Sequence, residues 1–181
     1  SSEAEPIAAI EATDMLAAMA GDENSRGGLC VGAPVASVAC RLLRPHDGSI
    51  ELTSTGWPEW EVAAGEVGEV TVSGGHVLRG YLGDPEAERT SKIHDGDHVW
   101  HRTGDAARLD ARGRLWLMGR VGERVRRAGG TWWPQPVEVR AMEHALVQHA
   151  AYLGVADAAM GQRAVLCVEC AGGALSAESA A

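Results

Sequence analysis

The sequence predicts an α+β fold, with a small antiparallel β-barrel or curled sheet followed by a small α+β unit. Short β-prone runs bounded by Gly and Pro recur from Leu29 to Met118. A basic, Gly-punctuated stretch, "VGERVRRAGG" from Val121 to Gly130, then interrupts them. Beyond it follow a short hairpin pattern, a helical pattern and two apolar runs, the order of a compact α+β unit. With 181 residues, 45% of them hydrophobic, the chain is long and apolar enough for one good core or two small ones.

The elements follow in order. "IEATDMLAAMA" places Ala12, Met15, Leu16 and Met19 at helical spacing, which predicts an amphipathic helix ending near Gly21, before the break "DENSRGG". "SVACRLLRP" and "GEVTVSG" read as strands, and the polar connection between them holds a candidate short strand at Ile50 to Thr53. Asp84 and Pro85 read as the N-cap and first position of a short helix. In "RLDARGRLWLMG" the residues Asp110 to Gly113 make a turn and Arg114 to Met118 a buried return strand, apolar on both faces. Pro136 stands in the first turn of a helix carrying Val139, Met142 and Leu146, and "AYLGVAD" and "RAVLCVEC" read as two strands. "AGGALSAESAA" reads as a loop or a truncated end.

Composition excludes several functions. A net charge of −9 argues against nucleic acid or an anionic membrane as the main partner. No apolar run approaches the length of a membrane span, and "SSEAEPIAAI" lacks the features of a signal peptide. Four cysteines are too few for a disulfide scaffold, so Cys167 and Cys170 read as buried strand thiols in a reducing cytoplasm. The run "HDGDHVWH" offers His94, Asp95, Asp97, His98 and His101, but in no recognisable metal spacing, and Asp-Gly-Asp reads as a turn. Thr103-Gly104-Asp105 has two readings at this level. It is a plain turn, or it holds Asp105 at a strand end as an acceptor for ligand hydroxyls. Arg124, Arg126 and Arg127 read as the solvated face of an edge strand.

In chain order, "SSEAEP", "GEVGEVTVSGGHVLRGYLGDPEA", "WHRTGD" and "LDARGRLWLMGRVGERVRRAGGTWWPQPVE" resemble successive core motifs of the adenylate-forming (AMP-binding) enzymes, from Ser1 to Val168. These include acyl-CoA synthetases, fatty-acyl-AMP ligases and peptide-synthetase adenylation domains. The resemblance implies an ATP-dependent ligase that activates a carboxylic acid, most simply a fatty acid, as its acyl-adenylate for transfer to CoA or another acceptor. By resemblance, Asp105 accepts hydrogen bonds from the ribose hydroxyls, Arg120 approaches ribose and phosphate, Ser2 offers a hydroxyl near the α-phosphate, and Glu3 helps hold Mg2+. Residues 1–120 would end the large AMP-binding domain and 121–181 begin its mobile lid. The glycine-rich phosphate loop is expected upstream of Ser1 and the adenylation lysine beyond Ala181. The chain is therefore expected to be a C-terminal fragment, inactive alone, that works with the upstream part of the same protein. Gly122 departs from the family, standing where its hinge usually carries Asp or Lys. The Ala-rich helix is also similar to β-lactone synthetases acting on β-hydroxy acids. A catalytically dead binding module remains the non-enzymatic alternative.

Overall fold

The computed structural model describes residues 2–21, 27–127 and 129–171. The expected break at 22–26 and the end at 172–181 lie outside them. The described elements begin with β1 (Ala8–Ala9), α1 (Ala12–Ala20), β2 (Leu29–Pro34), β3 (Val38–Leu43) and β4 (Gly68–Gly74). They continue with α2 (Pro85–Ser91), β5 (Lys92–Asp95), β6 (His98–Leu109) and β7 (Leu115–Arg120). Last come β8 (Val125–Arg127), β9 (Gly130–Trp132), α3 (Pro134–Met142), β10 (Val147–Asp157) and β11 (Gly161–Cys170).

The first seven strands form one antiparallel sheet in the order β1-β2-β7-β6-β4-β3, with β5 paired to β6. The long β6 is its spine, pairing with β4, β5 and β7. Val38, Leu42, Val70, Val72, Val77, Ala107 and Leu115 pack on one face. Leu43, Ile50, Trp57, Ile93 and Trp100 form a second cluster. The curled antiparallel sheet confirms the predicted fold class. β8–β9 and β10–β11 are separate antiparallel hairpins, with α3 between them in the chain. Among the described residues, every buried hydrophobic lies at or before Val125.

Several local expectations need correction. α1 ends at Gly21 as read, but its packed residues are Ala18, Met15 and Met19, whereas Leu16 is 65% exposed. Ile50 to Thr53 is not a strand; Ile50 drops into the Trp57–Trp100 cluster, and the chain turns through a 3-10 turn at Trp57–Glu59. α3 starts at Pro134 rather than Pro136, and Leu146 lies past its end, exposed. The cysteines expected to be buried strand thiols are not: Cys167 is exposed and Cys170 half-buried, on opposite faces of β11. The Asp84 cap is as predicted, its carboxylate accepting from the Ala87 amide at 2.9 Å.

The β6–β7 turn is organised by one side chain. Asp110 Oδ1 accepts from the amides of Arg112 and Arg114, each at 2.9 Å. Its Oδ2 accepts from Arg114 Nε at 2.8 Å and from the indole of the fully buried Trp116 at 2.9 Å. Burial alone would raise the Asp110 pKa, but these donors outweigh it and hold the carboxyl at about 2. A folded-state value below the ordinary 3.8 means stability fully present above that ordinary value and lost as pH falls from about 4 to about 2. Asp110→Ala is expected to lower the unfolding free energy by about 2 kcal/mol at neutral pH. Denaturant titrations across pH 2 to 7 should show the difference between variant and parent shrinking in that acid window.

Candidate functional site

Thr103-Gly104-Asp105 is neither a turn nor a strand end. It is a bulge inside β6. Glu69 pairs with Ala106 and Thr71 with Arg102, so Thr103, Gly104 and Asp105 all stand opposite Val70. Gly104 has φ +73, a left-handed backbone that strains any other residue, and a Cβ there would also have to displace the Arg120 guanidinium, 2.9 Å away. The Thr103 hydroxyl donates to Val70 O at 2.9 Å and accepts from the Asp105 amide at 3.0 Å. It thereby supplies partners that the interrupted ladder would otherwise leave unmet. The bulge re-aims Asp105 across β7, where its register partner is Arg120. Arg120 Nη1 donates to Asp105 Oδ1 at 2.6 Å and to Thr103 O at 3.0 Å.

Beneath the bulge, Glu69 and Arg102 form a buried pair, their side chains 4% and 7% exposed. Arg102 donates to Glu69 Oε2 from Nε at 3.0 Å and from Nη2 at 2.7 Å. It also donates to His46 O at 2.6 Å, Thr90 O at 2.9 Å and Gly48 O. The other Glu69 oxygen accepts from the Gly104 amide at 3.2 Å. One ion pair thus ties the bulge, the 46–48 loop and the end of α2 together.

A cavity of about 750 Å³ opens beside this scaffold, lined by Ser2, Glu3, Tyr81, His101, Arg120 and Gly122 among others. The structure therefore brings three of the sequence-chosen residues, Ser2, Glu3 and Arg120, to one wall system. Asp105 does not line this cavity; it is linked to it through Arg120 and lines instead a smaller apolar cleft of about 360 Å³ near Ile7, Val31 and Leu117. Ser2 Oγ donates to Glu3 Oε2 at 3.2 Å. The Tyr81 hydroxyl donates to Glu3 Oε1 at 3.1 Å, so Glu3 is held rather than left solvated.

Sequence reasoning missed the residues behind Glu3. Lys92 is 3% exposed and donates to Leu78 O, with Nζ 3.2 Å from His101 Nδ1 and 5.0 Å from the Tyr81 ring centroid. His101 Nε2 lies 3.9 Å from Glu3 Oε2. Burial, and then the Lys92 charge, push the His101 pKa down to about 4; burial also lowers that of Lys92. The alternation of β5 and β6 carried no sign of this, because Lys92 and His101 meet only through strand register, as direct cross-strand partners. The rejected metal run is a hairpin turn: Asp95 pairs with His98, with Gly96 at φ +58. Among the described residues no group of three His, Cys, Asp or Glu could hold a metal. Glu3 still suits Mg2+, which takes one or two protein carboxylates and completes its shell with water and substrate phosphate.

The expectation of a solvated arginine face holds for Arg126 but fails for Arg124. Arg124 is buried, donating to Asp47 Oδ1 at 2.9 Å and to Val121 O, while the exposed Arg126 reaches Asp47 Oδ2 at 2.8 Å. Arg124 and then Arg126 pull the Asp47 pKa below its ordinary value.

No family model matches the chain. It is 37% identical over 173 residues to the olefin β-lactone synthetase of Xanthomonas campestris, covering 91% of this chain and 30% of that protein. It is 28% identical over 143 residues to the 2-succinylbenzoate–CoA ligase of Arabidopsis thaliana, covering 78% of this chain and 23% of that one. Among solved structures it matches ATP-bound MatB of Rhodopseudomonas palustris with a TM-score of 0.66, at 25% identity over 83% of this chain and 27% of that one. The chain thus spans less than a third of these relatives.

Removing the Glu69 charge tests the scaffold. Glu69→Gln leaves the Arg102 guanidinium buried without its counter-ion and is expected to cost about 3 kcal/mol or more in a denaturant titration.

Proposed function

Because this chain is homologous, over 91% of its length in one case, to the adenylate-forming ligases, we propose that it forms the nucleotide-facing part of an ATP-dependent acid ligase. The reaction joins a carboxylate to the α-phosphate of ATP, releases pyrophosphate and leaves an acyl-adenylate for transfer to CoA or another acceptor. The observation that carries this reading is the bulge that pairs Asp105 with Arg120, a residue lining the larger cavity.

Asp105 is an acceptor-only group when ionised, which suits a ribose diol. One of its oxygens is occupied by Arg120, and the other is available to hydroxyls. Arg120 carries further N–H donors in a fixed fork, suited to the ribose and phosphate oxygens. Ser2 supplies a hydroxyl toward the α-phosphate. Glu3 would hold Mg2+, which when bound would neutralise phosphate charge. In such a transfer the protein contributes chiefly position and preorganised charge.

The proposed organisation places residues 1–120 at the end of the AMP-binding domain and 121–181 at the start of a lid. The backbone freedom of Gly122 supports a hinge near this boundary, although Val121 and Val125 beyond it are still buried, Val121 against Ala106 and Met118. Phosphate-loop and lysine functions come, in this reading, from the rest of a longer protein. Within this reading the ligase acts in fatty-acid metabolism in the cytoplasm, a reducing compartment in keeping with the free cysteines. No helix among the described residues is long and apolar enough to cross a membrane. The 37% identity with olefin β-lactone synthetase favours a second reading, in which the acid carries a β-hydroxyl that itself displaces AMP.

Asp105→Ala in the full-length protein is expected to raise the KM for ATP at least tenfold. Two charge-assisted hydrogen bonds are worth about 1.5–3 kcal/mol each, and about 1.4 kcal/mol is a factor of ten. The melting temperature should change little, since a partly exposed ion pair contributes at most about 1 kcal/mol. Unchanged ATP kinetics with a lowered melting temperature would reduce Asp105 to a structural residue.

A further inference from the structure

Three consecutive residues in the loop after β3 face two ways. The carbonyl oxygens of His46 and Gly48 both accept from Arg102, the former at 2.6 Å. The carboxylate between them, Asp47, instead accepts from Arg124 at 2.9 Å and from Arg126 at 2.8 Å. Arg102 is the buried arginine whose partner Glu69 accepts from the Gly104 amide, so the backbone of this loop belongs to the scaffold behind Asp105. Arg124 and Arg126 lie beyond Gly122, and Arg124 also donates to Val121 O, which closes the contact across that glycine. Arg126 carries the connection outward, its amide donating to the Gln162 side chain of β11 at 2.5 Å. The loop is itself braced: the His46 ring meets Trp60 edge-on, 5.3 Å between centroids.

We propose that His46-Asp47-Gly48 is a coupling element, which ties the orientation of the lid to the occupancy of the nucleotide site. With its flanking carbonyls fixed by one arginine, Asp47 has little freedom to move on its own. A shift of Arg102 that follows a ligand at the bulge is passed to the Asp47 carboxylate. A turn of the lid that draws Arg124 and Arg126 away pulls on the same two carbonyls. A hydrogen-bonded network can carry such coupling between sites, and the coupling of two equilibria is equal in both directions. The proposal rests on the reading of Asp105 and Arg120 as nucleotide contacts, and adds to it Asp47, which does not line the cavity.

Two measurements test it. In the 15N-labelled chain of 181 residues, residual dipolar couplings from β6 and β11 amides should fit one alignment tensor. Asp47→Ala should leave β6 on that tensor and give β11 a separate one of lower order. A folded variant with both strands still on the common tensor would overturn the proposal, whatever the activity proves to be. In the full-length protein, hydrogen exchange of the Val125–Arg127 amides is then followed with and without ATP. ATP should slow it at least about fivefold in the parent, the low end of ordinary coupling between sites, and less than about twofold in Asp47→Ala. By reciprocity, Asp47→Ala should raise the dissociation constant for ATP about fivefold or more. Arg126→Gln, which opens only the exposed contact, should fall between parent and Asp47→Ala, and it keeps the test decisive if loss of the Arg124 counter-ion unfolds Asp47→Ala. An equal ATP effect in the parent and the folded variants would overturn the coupling. Failure of the parent to bind ATP would instead overturn the nucleotide reading, and the dipolar couplings would still decide whether Asp47 orients the lid.

Discussion

A single buried ion pair, Glu69 with Arg102, is the constraint on which the arrangement around the cavity depends. Neither partner is tolerable there alone, because a charge taken out of water needs a counter-charge and a full set of hydrogen bonds. Arg102 meets that demand with three backbone carbonyls besides Glu69, and those carbonyls belong to segments far apart in sequence. The pair therefore does more than satisfy itself. It determines where the 46–48 loop and the end of α2 must lie, and through the Gly104 amide it stabilises the bulge that turns Asp105 toward Arg120. Sheet register alone would not hold three residues against one.

Strand alternation, turn chemistry and capping made most of the secondary structure legible. The Asp110 turn, the Asp84 cap and the β10–β11 hairpin follow local rules that depend on few neighbours. Expectations failed where tertiary packing overrode local pattern. Ile50 joins a tryptophan cluster instead of a strand, and α1 packs through Ala18 while Leu16 faces outward.

The site divides along the same line. Asp105 and Arg120 stood in recognisable strings, and the structure pairs them at 2.6 Å. Arg102 sits inside the same "WHRTGD" string, yet nothing local distinguishes a buried arginine from a surface one. Lys92 and His101 were harder still. Their meeting requires the β5–β6 register, and Tyr81 reaches Glu3 across 78 positions of sequence. Functional strings reveal the groups proposed to touch a ligand. The groups that hold those in place are visible only once the strands are paired.

The grip of Asp47 on both Arg124 and Arg126 has a consequence of its own. These contacts fasten the loop beside β3 to the segment that follows Gly122, but the two differ in their access to solvent: the Arg124 side chain is 7% exposed and that of Arg126 is 61%. Dissolved ions screen an exposed pair over about 8 Å at physiological strength and reach a buried one far less. Rising salt therefore loosens the outer half of this clasp before the inner half, leaving the segment tethered at Arg124 but free to swing at Arg126. The attachment is graded by ionic strength, not simply made or broken.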